Sequence, residues 1–167
     1  MSPRAGKAAI LIGFFALCAA AFVWAGGVVA ETKRQATITD QCLQSAAWLM
    51  LCYASEHDGK FPESEKAYWD FVQTVMDAGT ESNACTSIPQ APQGDGWPAT
   101  SEAAGATMLE AIELPEVRKR VTVSVAGEPG KPPIIATPGK PSGLGTLEKV
   151  NGWVESWGSA PHEPSQD

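Results

Sequence analysis

From Ala8 to Ala30 no charged residue interrupts the chain, and from Thr32 to about Glu56 apolar positions recur with a helical period. The first stretch holds about 23 apolar or small residues. As a helix rising ~1.5 Å per residue it covers roughly 34 Å, enough for the ~30 Å hydrocarbon core of a bilayer. In the second stretch Ile38, Cys42, Ala46, Leu49, Met50 and Tyr53 stand three and four apart, which predicts one helix face packed on a domain. No proline separates the two stretches. Gly26-Gly27 is the weak point, at ~1 kcal/mol per glycine relative to alanine. The pattern therefore predicts one continuous helix of about 50 residues, half for lipid and half for a domain. Its end is expected at His57-Asp58-Gly59, where glycine takes the left-handed C-cap conformation.

Beyond Phe61-Pro62 the spacing of Tyr68, Phe71, Val72, Val75 and Met76 predicts a second helix over 65–78, capped by Ser64. Proline and glycine make 80–100 a loop, and a short helix is expected over 102–114. After Pro115 the period changes. Val121, Val123 and Val125 alternate with Thr122 and Ser124, a half-buried strand, and Ile134-Ile135-Ala136 reads as a second strand. Residues 146–150 and 153–157 flank Asn151-Gly152, the strongest short hairpin signal. The fold class expected is α+β: a long N-terminal helix, membrane half plus amphipathic half, packed on a small C-terminal antiparallel sheet. Residues 1–7 form a basic leader, 8–30 a transmembrane anchor or signal segment, 31–158 the domain and 159–167 a flexible tail.

Charge narrows the function. The chain has a formal net charge of −7, and all nineteen acidic residues lie from Glu31 onward. Without Arg4 and Lys7, ten basic residues face those nineteen, a formal charge of −9. Such a domain lacks the cationic surface that displaces counterions from nucleic acid.

Three fates of the apolar run are open. Arg4 and Lys7 can hold the N-terminus in the cytoplasm of an uncleaved single-span anchor. A secretory signal would be cut after Val28-Val29-Ala30. A lipoprotein signal would end at Cys18, where Leu17 stands at a position usually small. The run exceeds the ~7 to 15 residues of a signal h-region, which favours the anchor.

Cys42, Cys52 and Cys85 lie beyond the run. Export would place them in an oxidising compartment. Cys42 and Cys52, ten apart on one helix, would have Cα atoms ~15 Å apart, too far to bridge. A disulfide of Cys85 with Cys42 or Cys52 is one reading, and three buried small hydrophobes is the other.

No spacing assembles an active site. His57-Asp58 has no nucleophile beside it, and a histidine at the negative end of a helix is the simpler account. His162 and the cysteines lack zinc-ligand spacing. Asp95, between Gly94 and Gly96, is a weak calcium candidate without the Asp-x-Asp-x-Asp pattern. Gly143-Leu144-Gly145 reads as a turn. Trp153 and Trp157, on one face of a strand, suit packing on the long helix. No cofactor is implied, and the chain is read as a non-enzyme.

Three stretches carry a resemblance. Leu49-Met50-Leu51-Cys52-Tyr53-Ala54-Ser55-Glu56-His57-Asp58-Gly59-Lys60-Phe61-Pro62 resembles the end of the long helix in bacterial type IV pilin-like proteins of the pseudopilin G-like group. Leu147 to Trp157, around Asn151-Gly152, is similar to the His-x9-Asp-Gly tail of prepilin-like proteins, with Pro141 and Asn151 at the His and Asp positions. The N-terminal apolar run leads straight into the first of these. Gly6 ends a pilin-style leader, while Lys7 and Leu11 stand where that family has an apolar residue and a glutamate.

The resemblance implies a pilin-like extracytoplasmic domain on a single-pass anchor in the bacterial cytoplasmic membrane, N-terminus inside and domain in the periplasm or outside. It implies a structural or interaction role in a type II secretion or pilus-like system, with lipid through residues 8–30 and other pilin-like or secretion-system proteins as partners. The alternative is a soluble exported binding module released by cleavage after Ala30.

Overall fold

The computed structural model describes residues 3–78, 114–125, 131–143 and 145–158. The chain divides into two compact units, Met1–Gln35 and Ala36–Asp167. One helix, α1 (Pro3–Glu56), runs unbroken through both.

From Gly13 to Arg34 α1 is exposed, apart from a half-buried Cys18. Phe14, Phe15, Leu17, Phe22, Val23, Trp24, Val28 and Val29 are all exposed, Phe22 to 82%. Local polar pairs lie towards the C-terminal end of this part of the helix. Glu31 accepts from Arg34 Nε and Nη2 at 2.9 and 2.8 Å and from Gln35 at 2.6 Å. Exposed i,i+3 and i,i+4 pairs of this kind contribute only ~0.3–0.5 kcal/mol each.

In the second unit α1 is the spine of the core. Cys42, Ala46, Leu49 and Met50 are buried, with Ile38 and Tyr53 half-buried at the ends of the same face. The burial does not stop at that face. Leu43, Ser45, Ala47, Trp48, Leu51, Cys52 and Ala54 are buried too, so the helix is enclosed on every side from 45 to 52. The amphipathic spacing underestimates this, because apolar residues also fill the positions between.

The helix ends through a left-handed turn. Asp58 and Gly59 have φ of 54° and 78°. Gly59 N–H donates to the Ala54 carbonyl at 2.8 Å, the long-range bond of a Schellman cap. The left-handed position thus begins at Asp58, one residue before the expected glycine.

Helix α2 (Glu65–Ala78) takes the bounds its periodicity predicts. Ser64 Oγ accepts from Ala67 N–H at 3.1 Å, an N-cap bond worth ~1 kcal/mol. Tyr68, Val72 and Val75 face the core. The Tyr68 hydroxyl donates to the Ala46 carbonyl at 3.0 Å, joining α2 to α1, and burial pushes its phenol pKa up. The expected loop over 80–100 and most of the helix over 102–114 lie outside the described residues.

Helix α3 (Leu114–Arg120) stands where a change to strand was expected. Its start fits its residues: Pro115 suits the first turn, where the missing N–H has no partner to lose. Glu116 in the first turn and Arg118, Lys119 and Arg120 in the last match the helix dipole. The valine alternation governs only the next segment, β1 (Thr122–Ser124), with Val123 inward and its neighbours outward. β1 pairs antiparallel with β2 (Ile134–Ala136), Val123 opposite Ile135, in a two-stranded sheet.

The closing hairpin is not formed. Residues 146–158 are a helix, α4 (Thr146–Gly158), with Asn151-Gly152 in its middle. Leu147, Val150, Trp153 and Val154 stand at helical spacing, and the last three are buried against β2 and α1 residues in one core. Gly145, with φ of 79°, lies just before α4 and makes the turn into it. The architecture is α+β: a long N-terminal helix packed against a small two-stranded antiparallel sheet and short helices.

Candidate functional site

Two regions of the described chain are built for something beyond a simple core. The first is the exposed apolar part of α1. It is the one helix, among the described residues, long and apolar enough to cross a membrane. An apolar surface of this length in water would exceed the few hundred Å² that soluble monomers leave exposed. Cys18 on this stretch is a free thiol.

The second is a set of polar contacts at the start of the buried part of α1. Thr39 and Asp40 lie just inside the second unit and each holds a remote element. Arg120, at the end of α3, is only 4% exposed. Its Nε donates to Glu116 Oε1 one turn back, and its Nη1 donates to Thr39 Oγ1 at 3.0 Å. A buried guanidinium without such partners would carry a desolvation cost of several kcal/mol. The Arg120 hydrogen bond holds the Glu116 carboxyl below its usual range, and the nearby Lys119 and Lys140 act in the same direction. Cys42, one turn after Thr39, feels both charges, but burial dominates and pushes its thiol up to about 11.

Asp40 holds the approach to α4. Its Oδ1 accepts from Gly143 N–H at 2.6 Å. A Cβ at position 143 would meet the same carboxylate, so a side chain here would push Asp40 out of this contact. Gly143 is thus anchored, and its carbonyl accepts from Thr146 N–H at 3.4 Å; Leu144 lies outside the described residues.

Asn151 performs a third anchoring task. Its Oδ1 accepts from Ile135 N–H at 2.8 Å, and its Nδ2 donates to the carbonyls of Ile135 and Leu147 at 2.9 Å each. One amide side chain thus stands in for a neighbouring strand along the outer edge of β2.

The remaining candidates have structural settings. His57 is exposed and stacks on Tyr53, ring centroids 3.9 Å apart and nearly parallel, with Phe71 edge-on to Tyr53 at 5.2 Å. Its Nδ1 lies 2.7 Å from the Tyr53 carbonyl oxygen. A carbonyl only accepts, so Nδ1 carries the proton and the histidine closes the last turn of α1. Trp153 is buried, and so is Trp48, whose indole N–H meets no acceptor among the described residues. Trp69 is half-buried beneath the Arg118 guanidinium, 5.4 Å from the ring centroid.

Cys52 is disulfide-bonded while Cys42 is a free, buried thiol. Of the two expected disulfide positions on α1, Cys42 is thus excluded; Cys85 lies outside the described residues. Asp95, Trp97 and His162 lie there too. Among the described residues no group of three His, Cys, Asp or Glu is placed to hold a metal ion.

No family model matches the chain, and neither the curated proteins nor the solved structures contain a match to it.

Thr39, Asp40, Arg120 and Asn151 are residues that sequence reasoning missed. Glu116 and Arg120 stand at i,i+4 spacing, a signal that could have been read. Thr39 with Arg120 and Asp40 with Gly143 are 81 and 103 residues apart, and no local pattern marks them.

Proposed function

We propose that this chain is a non-enzymatic, membrane-anchored, pilin-like protein, a structural or interaction component of a secretion or pilus-like system. Residues 8–30 sit in the bacterial cytoplasmic membrane, Arg4 and Lys7 keep the N-terminus inside, and the second unit lies in the periplasm or outside. The observation that carries this reading is the continuity of α1. The exposed apolar stretch and the buried spine are one helix with no break at Ala30. The Cys52 disulfide supports an oxidising compartment for the second unit.

Fractionation tests it. The full-length chain should stay with the membrane pellet through alkaline carbonate, and protease added outside the membrane should reach the second unit. Recovery of the intact chain in the soluble fraction overturns the anchor.

A second reading, a soluble exported binding module released after Ala30, is favoured by one observation. The second compact unit begins at Ala36, so a cut at Ala30 would leave it whole. A mature chain starting at Glu31 would establish it, whereas a start at Lys7 would show pilin-type processing.

A further inference from the structure

Cys52 is disulfide-bonded and fully buried in the core part of α1. A sulfur enclosed by its own domain does not reach a second copy of the chain unless that domain opens, so the bridge is internal. The chain holds four cysteines. Cys18, on the exposed apolar part of α1, and Cys42 are both free thiols. Cys42 is also ten residues from Cys52 on one helix, ~15 Å away, whereas a bridge tolerates Cα atoms no more than about 7 Å apart. Cys85 remains.

The reach of the chain agrees. Helix α2 lies against α1, with the Tyr68 hydroxyl on the Ala46 carbonyl and Val75 in the same core cluster as Cys52. It ends at Ala78, and Cys85 follows seven residues later, outside the described residues. Seven residues span at most ~25 Å, about twice the ~10–12 Å width of a helix with its side chains. Cys52 is therefore within reach whichever side of α1 it occupies.

We infer that Cys52 is bridged to Cys85, and that the chain is a substrate for a disulfide-donating oxidoreductase. Formation of the bridge rests on the reading that the second unit lies outside the cytoplasm, where such donors operate. One cysteine thiolate attacks the donor's disulfide and forms a mixed disulfide, and the second thiolate then attacks the chain's own sulfur in that bond. One S–S bond forms in the chain and one breaks in the donor. The two protons and two electrons lost by the chain leave with the donor, now a dithiol. The bridge closes a loop that contains the whole of α2 and ties it covalently to the spine.

Tryptic mass mapping of the full chain tests this, with protein taken from membranes and unfolded with a maleimide present and no reductant. Peptide 35–60 holds both Cys42 and Cys52, and peptide 67–118 holds Cys85. The two should be found joined, with a single maleimide that fragmentation places on Cys42, and reductant should separate them. Cys52→Ser and Cys85→Ser should each lower the melting temperature of the second unit by roughly 10 °C, and the double exchange by no more than either alone. Cys42→Ser should leave the bridge intact. Maleimide on all three cysteines of these peptides overturns the pairing. If protease added outside the membrane still reaches the second unit, the pairing fails alone; if that unit is protected, the exported reading fails with it. A link through Cys42, or between two copies of peptide 35–60, overturns the pairing as well.

Discussion

Residues 14–29 and 42–54 belong to one helix and are similarly rich in apolar side chains, yet they meet opposite surroundings. The earlier stretch exposes phenylalanines, valines and a tryptophan all round; the later one is enclosed nearly all round. Side-chain size does not account for the difference, since alanine and cysteine are interspersed in both stretches; the flanking polar residues accompany it. Thr39 and Asp40 at the start of the buried stretch bind partners from α3 and the α4 approach. Beyond the exposed stretch lies a local clamp on Glu31. Hydrophobicity alone says that both stretches avoid water. The remote polar contacts say which of them does so inside a protein core.

Substitutions can break that contrast at either end. Leu51→Ala should destabilise the second unit by ~3 kcal/mol through lost burial and a cavity. Leu17→Ala should change the same unfolding transition by less than ~0.5 kcal/mol. Denaturant midpoints of the full chain in detergent report both, and equal effects would erase the distinction. The converse exchange is Ala20→Arg. A charge near the middle of the span costs ~2.5–3.5 kcal/mol of insertion, so membrane recovery should fall while the second unit melts unchanged.

Within the second unit the anchoring side chains have graded effects. Asn151→Ala removes three hydrogen bonds and leaves the Ile135 N–H without its acceptor. A loss of ~2 kcal/mol is expected, seen in unfolding and in faster amide exchange at Ile135. Gly143→Ala should cost ~1–2 kcal/mol by displacing the Asp40 carboxylate. The same exchange in an Asp40→Ala background should cost clearly less, because the two residues act on one contact.

The smallest expected effects are in pH dependence. The Glu116 carboxyl is held below its ordinary value of 4.5 in the folded chain. Between the two values the unfolded chain binds the extra proton. Its contribution to stability is therefore present above about pH 4.5 and is lost as pH falls through the folded value. Glu116→Gln should flatten that acid limb. Cys42 works at the other end, with its thiol raised from 9.0 to about 11. The unfolded thiol ionises first, so stability declines as pH rises from 9 toward 11, and Cys42→Ser should remove that slope. At neutral pH Cys42 should resist thiol reagents until the domain unfolds.

Much of this architecture is legible in local pattern. Both long helices emerge from three-and-four spacing, and Ser64 marks the start of α2. The β1 alternation is plain, and the end of α1 falls one residue before its expected stop signal. The failures share a cause. Asn151-Gly152 is a strong turn signal over two residues, but Val150, Trp153 and Val154 gain burial only as a helix, and the Asn151 amide gains three bonds there. Packing outweighed local preference. Pro115 resembles a stop signal in sequence and instead begins α3. The polar contacts of Thr39, Asp40 and Arg120 join residues too distant for any window to associate.

The most direct test is the mass and N-terminal sequence of the chain recovered from membranes. Continuity of α1 as an anchor predicts that membrane-bound protein retains residues 1–30. Membrane-associated protein that begins at Glu31 would contradict it.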